Sequence, residues 1–343
     1  MVGPSAALVA IIGVVVPFVL GAFILGPLFY GDESLNARLF LGASLVATSV
    51  GITASVFRSL KLTRRRFAKT VLGAAVIDDV LGLIVLAIVS ALASGGSVSV
   101  GSVAVIALKS FGFLGGALII GSLLARPLSK IFSFITSGIG MKVTLAIGFA
   151  LVFGYVSELF GLEPIIGAFA AGLLLEAVHF DSFDQPEIVH DLENLKYDDK
   201  HDKEKVDALI HKHSHAHVED LIASISLIFV PVFFVYTGLQ IDIASLLNVK
   251  LYLIAIVISI FAIIGKLLAG FGAPGSRTEK LLVGASMVPR GEVGLIFAAT
   301  GKSLGVLSED LFSVIILVVI ITTFIAPPVI GRLGKQLLAE ERA

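Results

Sequence analysis

Apolar residues fill this chain in blocks of about twenty, divided by short polar breaks, a spacing set by the thickness of a bilayer. The blocks lie at 5–29, 36–58, 69–93, 100–125, 141–159, 163–178, 220–239, 249–272, 279–302 and 308–331. They predict an all-α polytopic membrane protein of about ten transmembrane helices. The block at 163–178 is short for a crossing and needs support from its neighbours. One long polar stretch, 179–219, interrupts the series. The expected organisation is a transmembrane set at 1–178, a charged loop at 179–219, a second transmembrane set at 220–334 and a tail at 335–343.

Composition agrees with the pattern. Of the 343 residues 57% are apolar and only 15% charged, where a soluble domain carries about 25% charged residues. The net charge of −1 offers no basic surface for nucleic acid. Cysteine is absent, which excludes disulfides, thiolate metal sites and cysteine nucleophiles. The first block starts almost at Met1, lacks a basic leader and is too long for a signal peptide, so it reads as a spanning helix. Basic residues gather in alternate linkers: Arg58, Lys61, Arg64, Arg65, Arg66 and Lys69; Arg126, Lys130 and Lys142; Arg277 and Lys280; Arg332, Lys335 and Arg342. The positive-inside rule then makes both termini cytoplasmic in a multi-pass protein of the cell membrane.

The block 41–57 and the block 282–298 both contain Gly-Ala-Ser, a Val close behind, and Val-Gly followed by Ile or Leu. On the alternating topology they run in opposite directions, as inverted copies would. Each carries residues of low helix propensity: Ser49, Gly51 and Thr53 in one, Pro289, Gly291 and Gly294 in the other. Two readings stand side by side. Such residues allow close helix packing, or they interrupt a helix so that its free ends face an ion near the midplane.

Asp78 and Asp79 fall inside an apolar run long enough to span. A carboxylate there costs roughly 2.5–3.5 kcal/mol on insertion scales, so a function must retain it. Adjacent helical residues point about 100° apart, and the two cannot both escape to one surface. Asp79 lies roughly 15 Å along the helix from Lys69, near the midplane. Thr48 and Ser49 could add oxygens suited to a hard monovalent cation. Lys266 either snorkels to the cytoplasmic side or pairs with Asp78. Arg290 and Glu292, beside Pro289, either bind substrate or brace the break; bracing is favoured. Lys109 has no assigned partner.

These residues resemble the cation:proton antiporter-2 family, and its bacterial sodium/proton antiporters most. The resemblance rests on Thr48-Ser49-Val50-Gly51-Ile52-Thr53, on Ile77-Asp78-Asp79-Val80 with Gly82, and on Pro164-Ile165-Ile166-Gly167-Ala168-Phe169. Pro231-Val232-Phe233-Phe234, Val288-Pro289-Arg290-Gly291-Glu292-Val293-Gly294 and Ala326-Pro327-Pro328 extend it over nearly the whole chain outside 179–219. It implies an inverted-repeat fold with two crossing discontinuous helices, and exchange by alternating access. Asp79 would carry cation and proton in turn, Asp78 would pair with the counter-charge Lys266, and Thr48 and Ser49 would lie beside the ion. An Asp-Asp pair goes in the family with electrogenic exchange. No cofactor is implied beyond the transported Na⁺ and H⁺. Family members usually carry two or three further helices ahead of the first one seen here. The chain is therefore expected to be N-terminally shortened, its first repeat incomplete, with a homodimer expected if those helices are present.

All seven histidines fall between His179 and His217, and His211, His213, His215 and His217 alternate. An extended chain would line them on one face for metal binding or pH sensing; a solvated linker is the plainer reading. The leading function is Na⁺/H⁺ antiport. The alternatives are K⁺/H⁺ or divalent-metal/H⁺ exchange, or a non-transporting fragment. An enzyme is not expected: an intramembrane aspartyl protease needs acids on two converging helices, and both lie on one here.

Overall fold

In the computed structural model the described residues are 3–63, 65–95, 100–135, 138–174, 224–229, 231, 232, 235, 236, 239 and 248–340. The loop 179–219, with His211, His213, His215 and His217, lies outside them, as does the side chain of Glu292. Among the described residues there are helices and no strands, and six helices are long and apolar enough to cross a membrane. The chain divides into two units, Met1–Ile106 with Phe234–Ala343, and Ala107–Phe233.

The first unit opens with α1 (Gly3–Val19), which passes through a π-helical stretch, Leu20–Leu25, into the short α2 (Gly26–Phe29). Next come α3 (Leu35–Ser44), α4 (Val50–Ser59) and the long α5 (Arg66–Ala93). The helix α6 (Val100–Ile135) leads out of this unit. In the second unit α7 (Ile139–Leu159) and α8 (Pro164–Leu174) form a tight antiparallel pair. The chain turns between them at Gly161, whose φ of +73° suits glycine. The first unit resumes with α9 (Val249–Ala269), α10 (Arg277–Ser286), α11 (Glu292–Ser303) and α12 (Glu309–Glu340).

Two of the sequence blocks are broken helices, 36–58 into α3 and α4 and 279–302 into α10 and α11. The Gly-Ala-Ser repeat marks the same structural event in both. Each first half ends on that serine, Ser44 or Ser286, after a 10-residue helix. The first break, 45–49, therefore precedes Gly51 and Thr53, which sit in the opening turns of α4. Glycine and threonine weaken a helix only slightly, and it is the crossing partner that fixes where this one stops. Two helices also outrun their blocks. α6 continues through Pro127 to Ile135, and α12 through Pro327 and Pro328 to Glu340. Hydropathy marks where a helix leaves the bilayer, which is not where its hydrogen bonding ends.

The first unit has two distinct ends. At one, Gly334 of α12 lies against Leu60 and Leu62 of the α4–α5 linker, and Thr278 Oγ1 of α10 donates to Glu340 Oε1 at 2.9 Å. A core of Phe57, Leu62, Phe67, Leu282, Ile330 and Leu337 joins these elements. Arg58, Lys61, Arg65, Arg66, Arg277 and Lys280 all stem from helix ends gathered here. At the other end Asn36 Nδ2 donates to the carbonyl of Leu92, and Lys302 pairs with Glu309 at 2.8 Å. These basic residues of the first unit thus gather at one end of it.

Candidate functional site

The two breaks cross each other, and each meets the other's unpaired backbone groups. A helix that stops inside a bilayer leaves donors and acceptors that no water can satisfy. Here Ser49 N donates to the Pro289 carbonyl at 2.7 Å. Thr53 Oγ1 donates to the carbonyl of Ser286, the last residue of α10, at 2.7 Å, and Thr48 Oγ1 to that of Met287 at 3.1 Å. In return Arg290 Nη2 donates to the Leu45 carbonyl at the end of α3, at 2.7 Å. Thr323 Oγ1 of α12 donates to the Arg290 carbonyl. Contact is close enough that a Cβ on Gly291 would come within 2.8 Å of Ser49 Oγ.

The acidic helix α5 and the lysine of α9 meet at this crossing. Asp78 is 1% exposed and Lys266 fully buried. Lys266 Nζ lies 3.2 Å from Asp78 Oδ1, 3.4 Å from Oδ2 and 2.7 Å from Thr48 Oγ1. The lysine therefore pairs with Asp78 and does not snorkel. α1 packs against the pair at Gly13, where a Cβ would sit in ordinary contact, 3.6 Å from Lys266 Nζ and 3.8 Å from Asp78 Oδ1. Asp79, one residue on, is half-buried.

Cations stand at the negative ends of both interrupted helices. Arg290 binds the end of α3 directly, while Lys266 reaches the end of α10 through the Thr48 hydroxyl. Both placements oppose the partial negative charge of a helix C-terminus. Arg290 is fully buried, and its Nε and Nη1 have no hydrogen-bond partner among the described residues. The crossing thus joins Asp78, Lys266, Thr48, Ser49, Pro289 and Arg290 in one cluster.

Thr48 is the joint of this arrangement, accepting from Lys266 and donating to α10. Thr48→Val keeps the volume and removes both bonds. It is expected to cost about 1–2 kcal/mol, because a buried carbonyl and an ammonium each lose a partner. Thermal unfolding of the purified variant in detergent measures it.

The sequence pattern described as "Sodium/hydrogen exchanger, transmembrane" matches residues 1–336. The chain belongs to the sodium/hydrogen exchanger family. It is 36% identical over 334 residues to the high-affinity Na⁺/H⁺ antiporter NhaS3 of Synechocystis sp., covering 95% of this chain and 64% of that protein. It is 34% identical over 330 residues to the Na⁺/H⁺-K⁺ antiporter GerN of Bacillus cereus, covering 95% and 74%. This exchanger-family chain therefore spans 64% of the length of the Synechocystis relative. The sodium proton antiporter MjNhaP1 from Methanocaldococcus jannaschii shares its fold, with a TM-score of 0.66 at 18% identity over 97% of this chain and 79% of that one.

In the exchanger-family site, sequence reasoning missed Gly13, Thr323 and the capping role of Arg290. Gly13 carries no signal in an apolar run already rich in small residues. The signal for Thr323 is its place in a pair of adjacent threonines within the otherwise apolar stretch Val314–Ile330.

Proposed function

We propose that this chain exchanges Na⁺ for H⁺ across the membrane by alternating access, with Asp79 taking cation and proton in turn. The observation that carries this reading is the sealed Asp78–Lys266 pair at the crossing of two broken helices, with the half-buried Asp79 beside it. A dehydrated monovalent cation needs several oxygens in place of its water. Asp78 and Thr48 offer oxygens that Lys266 now occupies, so ammonium and cation compete for one set of ligands. In this mechanism Lys266 holds the empty site together as counter-charge and withdraws from Asp78 when the cation arrives. Ser49 adds an oxygen from the break, while Pro289, Arg290 and Glu292 keep the broken helices in register.

The same reading places the protein in the cell membrane, with the basic ends of the first unit in the cytoplasm. The relatives' names favour Na⁺, and that of GerN adds K⁺ as the second cation to test.

Transport in inside-out vesicles tests the proposal, by the dequenching of a ΔpH dye on adding Na⁺, Li⁺, K⁺ or Zn²⁺. Na⁺ is expected to dequench the dye in the wild type, and Asp79→Asn to abolish the response. Na⁺-driven dequenching that survives Asp79→Asn rules out the carrier role. A response to K⁺ or Zn²⁺ alone would replace sodium as substrate.

A further inference from the structure

We propose that the cleft between the end of α9 and the start of α10 binds one anionic phospholipid. Its phosphate would rest on Arg277 and Lys280, and an acyl chain along Leu267, Phe271 and Leu281. The cleft has a volume of about 480 Å³ and is lined by these five residues and Gly270. Its floor is backbone, because the chain at the end of α9 and the start of α10 approach so closely that a Cβ on Gly270 would collide with the Lys280 carbonyl. Phe271 is 71% exposed and Leu281 41%, which leaves an apolar wall open at the membrane-facing end of a spanning helix.

The charge of the rim selects the occupant. Arg277 and Lys280 are three residues apart on α10 and so neighbours on one helix face. Glu279, the carboxylate between them, is turned away into the cap of the helix, its Oε2 accepting from Ser276 N at 2.8 Å. Neither cation has an ion-pair partner among the described residues. Two cations with no ion-pair partner among the described residues, above an apolar wall, match an amphiphile with an anionic head, and basic clefts between membrane helices bind such headgroups. A free phosphate would leave Phe271 and Leu281 uncovered. The lipid would bridge α9, which carries Lys266 one turn before Gly270, and α10, whose far end closes the helix crossing.

Native mass spectrometry of the full chain, released from nanodiscs of phosphatidylcholine and phosphatidylglycerol in equal parts, tests this without any transport assay. One phosphatidylglycerol is expected to stay bound in preference to phosphatidylcholine. Its occupancy is expected to fall at least about tenfold in Arg277→Gln/Lys280→Gln, and to be unchanged in Arg332→Gln/Lys335→Gln. The charge-keeping exchange Arg277→Lys/Lys280→Arg should restore it. Phe271→Ser should weaken retention of long-chain phosphatidylglycerol and leave the dihexanoyl form unaffected. Equal retention by the Gln/Gln variant, equal loss in the control pair, or displacement by millimolar inorganic phosphate would each overturn the proposal.

Discussion

Lys266→Met is expected to destabilise the protein by about 3–5 kcal/mol, the cost of removing one partner from a buried ion pair. Lys266 has no exposed surface, and all three of its short polar contacts are to Asp78 and Thr48. Without it a carboxylate that is 1% exposed is left in an apolar span without its ion-pair partner, and Arg290, the remaining cation of the cluster, makes no ion pair with it among the described residues. The loss belongs to the stranded charge rather than to the missing bonds, and this makes the prediction sharp. Asp78→Asn added to Lys266→Met removes that charge, so the double variant should recover most of the stability while transport stays lost. Unfolding in detergent micelles, run on both variants, reads the difference. A single variant as stable as the wild type, or a double variant no better than the single, would sink the argument.

A second large effect is expected from Gly284→Val. A Cβ at Gly284 would collide with the carbonyl oxygen of Leu267 and stand 2.8 Å from its Cα. Overpacking usually costs about 1–3 kcal/mol because side chains can shift; here the obstacle is backbone, and α9 and α10 must part. Leu267 follows Lys266, so the parting also draws the ammonium from Thr48. The expected loss is above about 3 kcal/mol, with transport abolished. Gly51→Ala is the contrasting case. Gly51 lies in α4, and a Cβ there meets nothing within 4 Å. At the second residue of a helix the gain is smaller than in an interior, about 0.5 kcal/mol or less. Thermal unfolding of the two variants should therefore move in opposite directions.

Much of this site was legible in the sequence because membrane physics makes exceptions conspicuous. Asp78, Asp79 and Lys266 stand out in apolar blocks, and their cost demands partners. The Gly-Ala-Ser repeat marked the two segments that cross. The exact stopping point of α3 was not legible, since the carbonyl at its end is bonded by Arg290, 245 positions away. For the same reason Arg290 read as a general brace, and its bond to the Leu45 carbonyl came only with the fold. The length of α12 was hidden too: Pro327 and Pro328 argue for an end, yet contacts of Gly334 and Glu340 carry the helix onward.

The bonds at the crossing bear on what can move. A gap in a helix invites comparison with a hinge, a place where the chain flexes. Here Ser49 to Pro289, Thr48 to Met287, Thr53 to Ser286 and Arg290 to Leu45 act together as a rivet. Two rods riveted through their middles swing only as one piece. Under the proposed exchange, any stroke that carries the carboxylates across the membrane would be taken up by joints elsewhere, with the crossing moving as one piece.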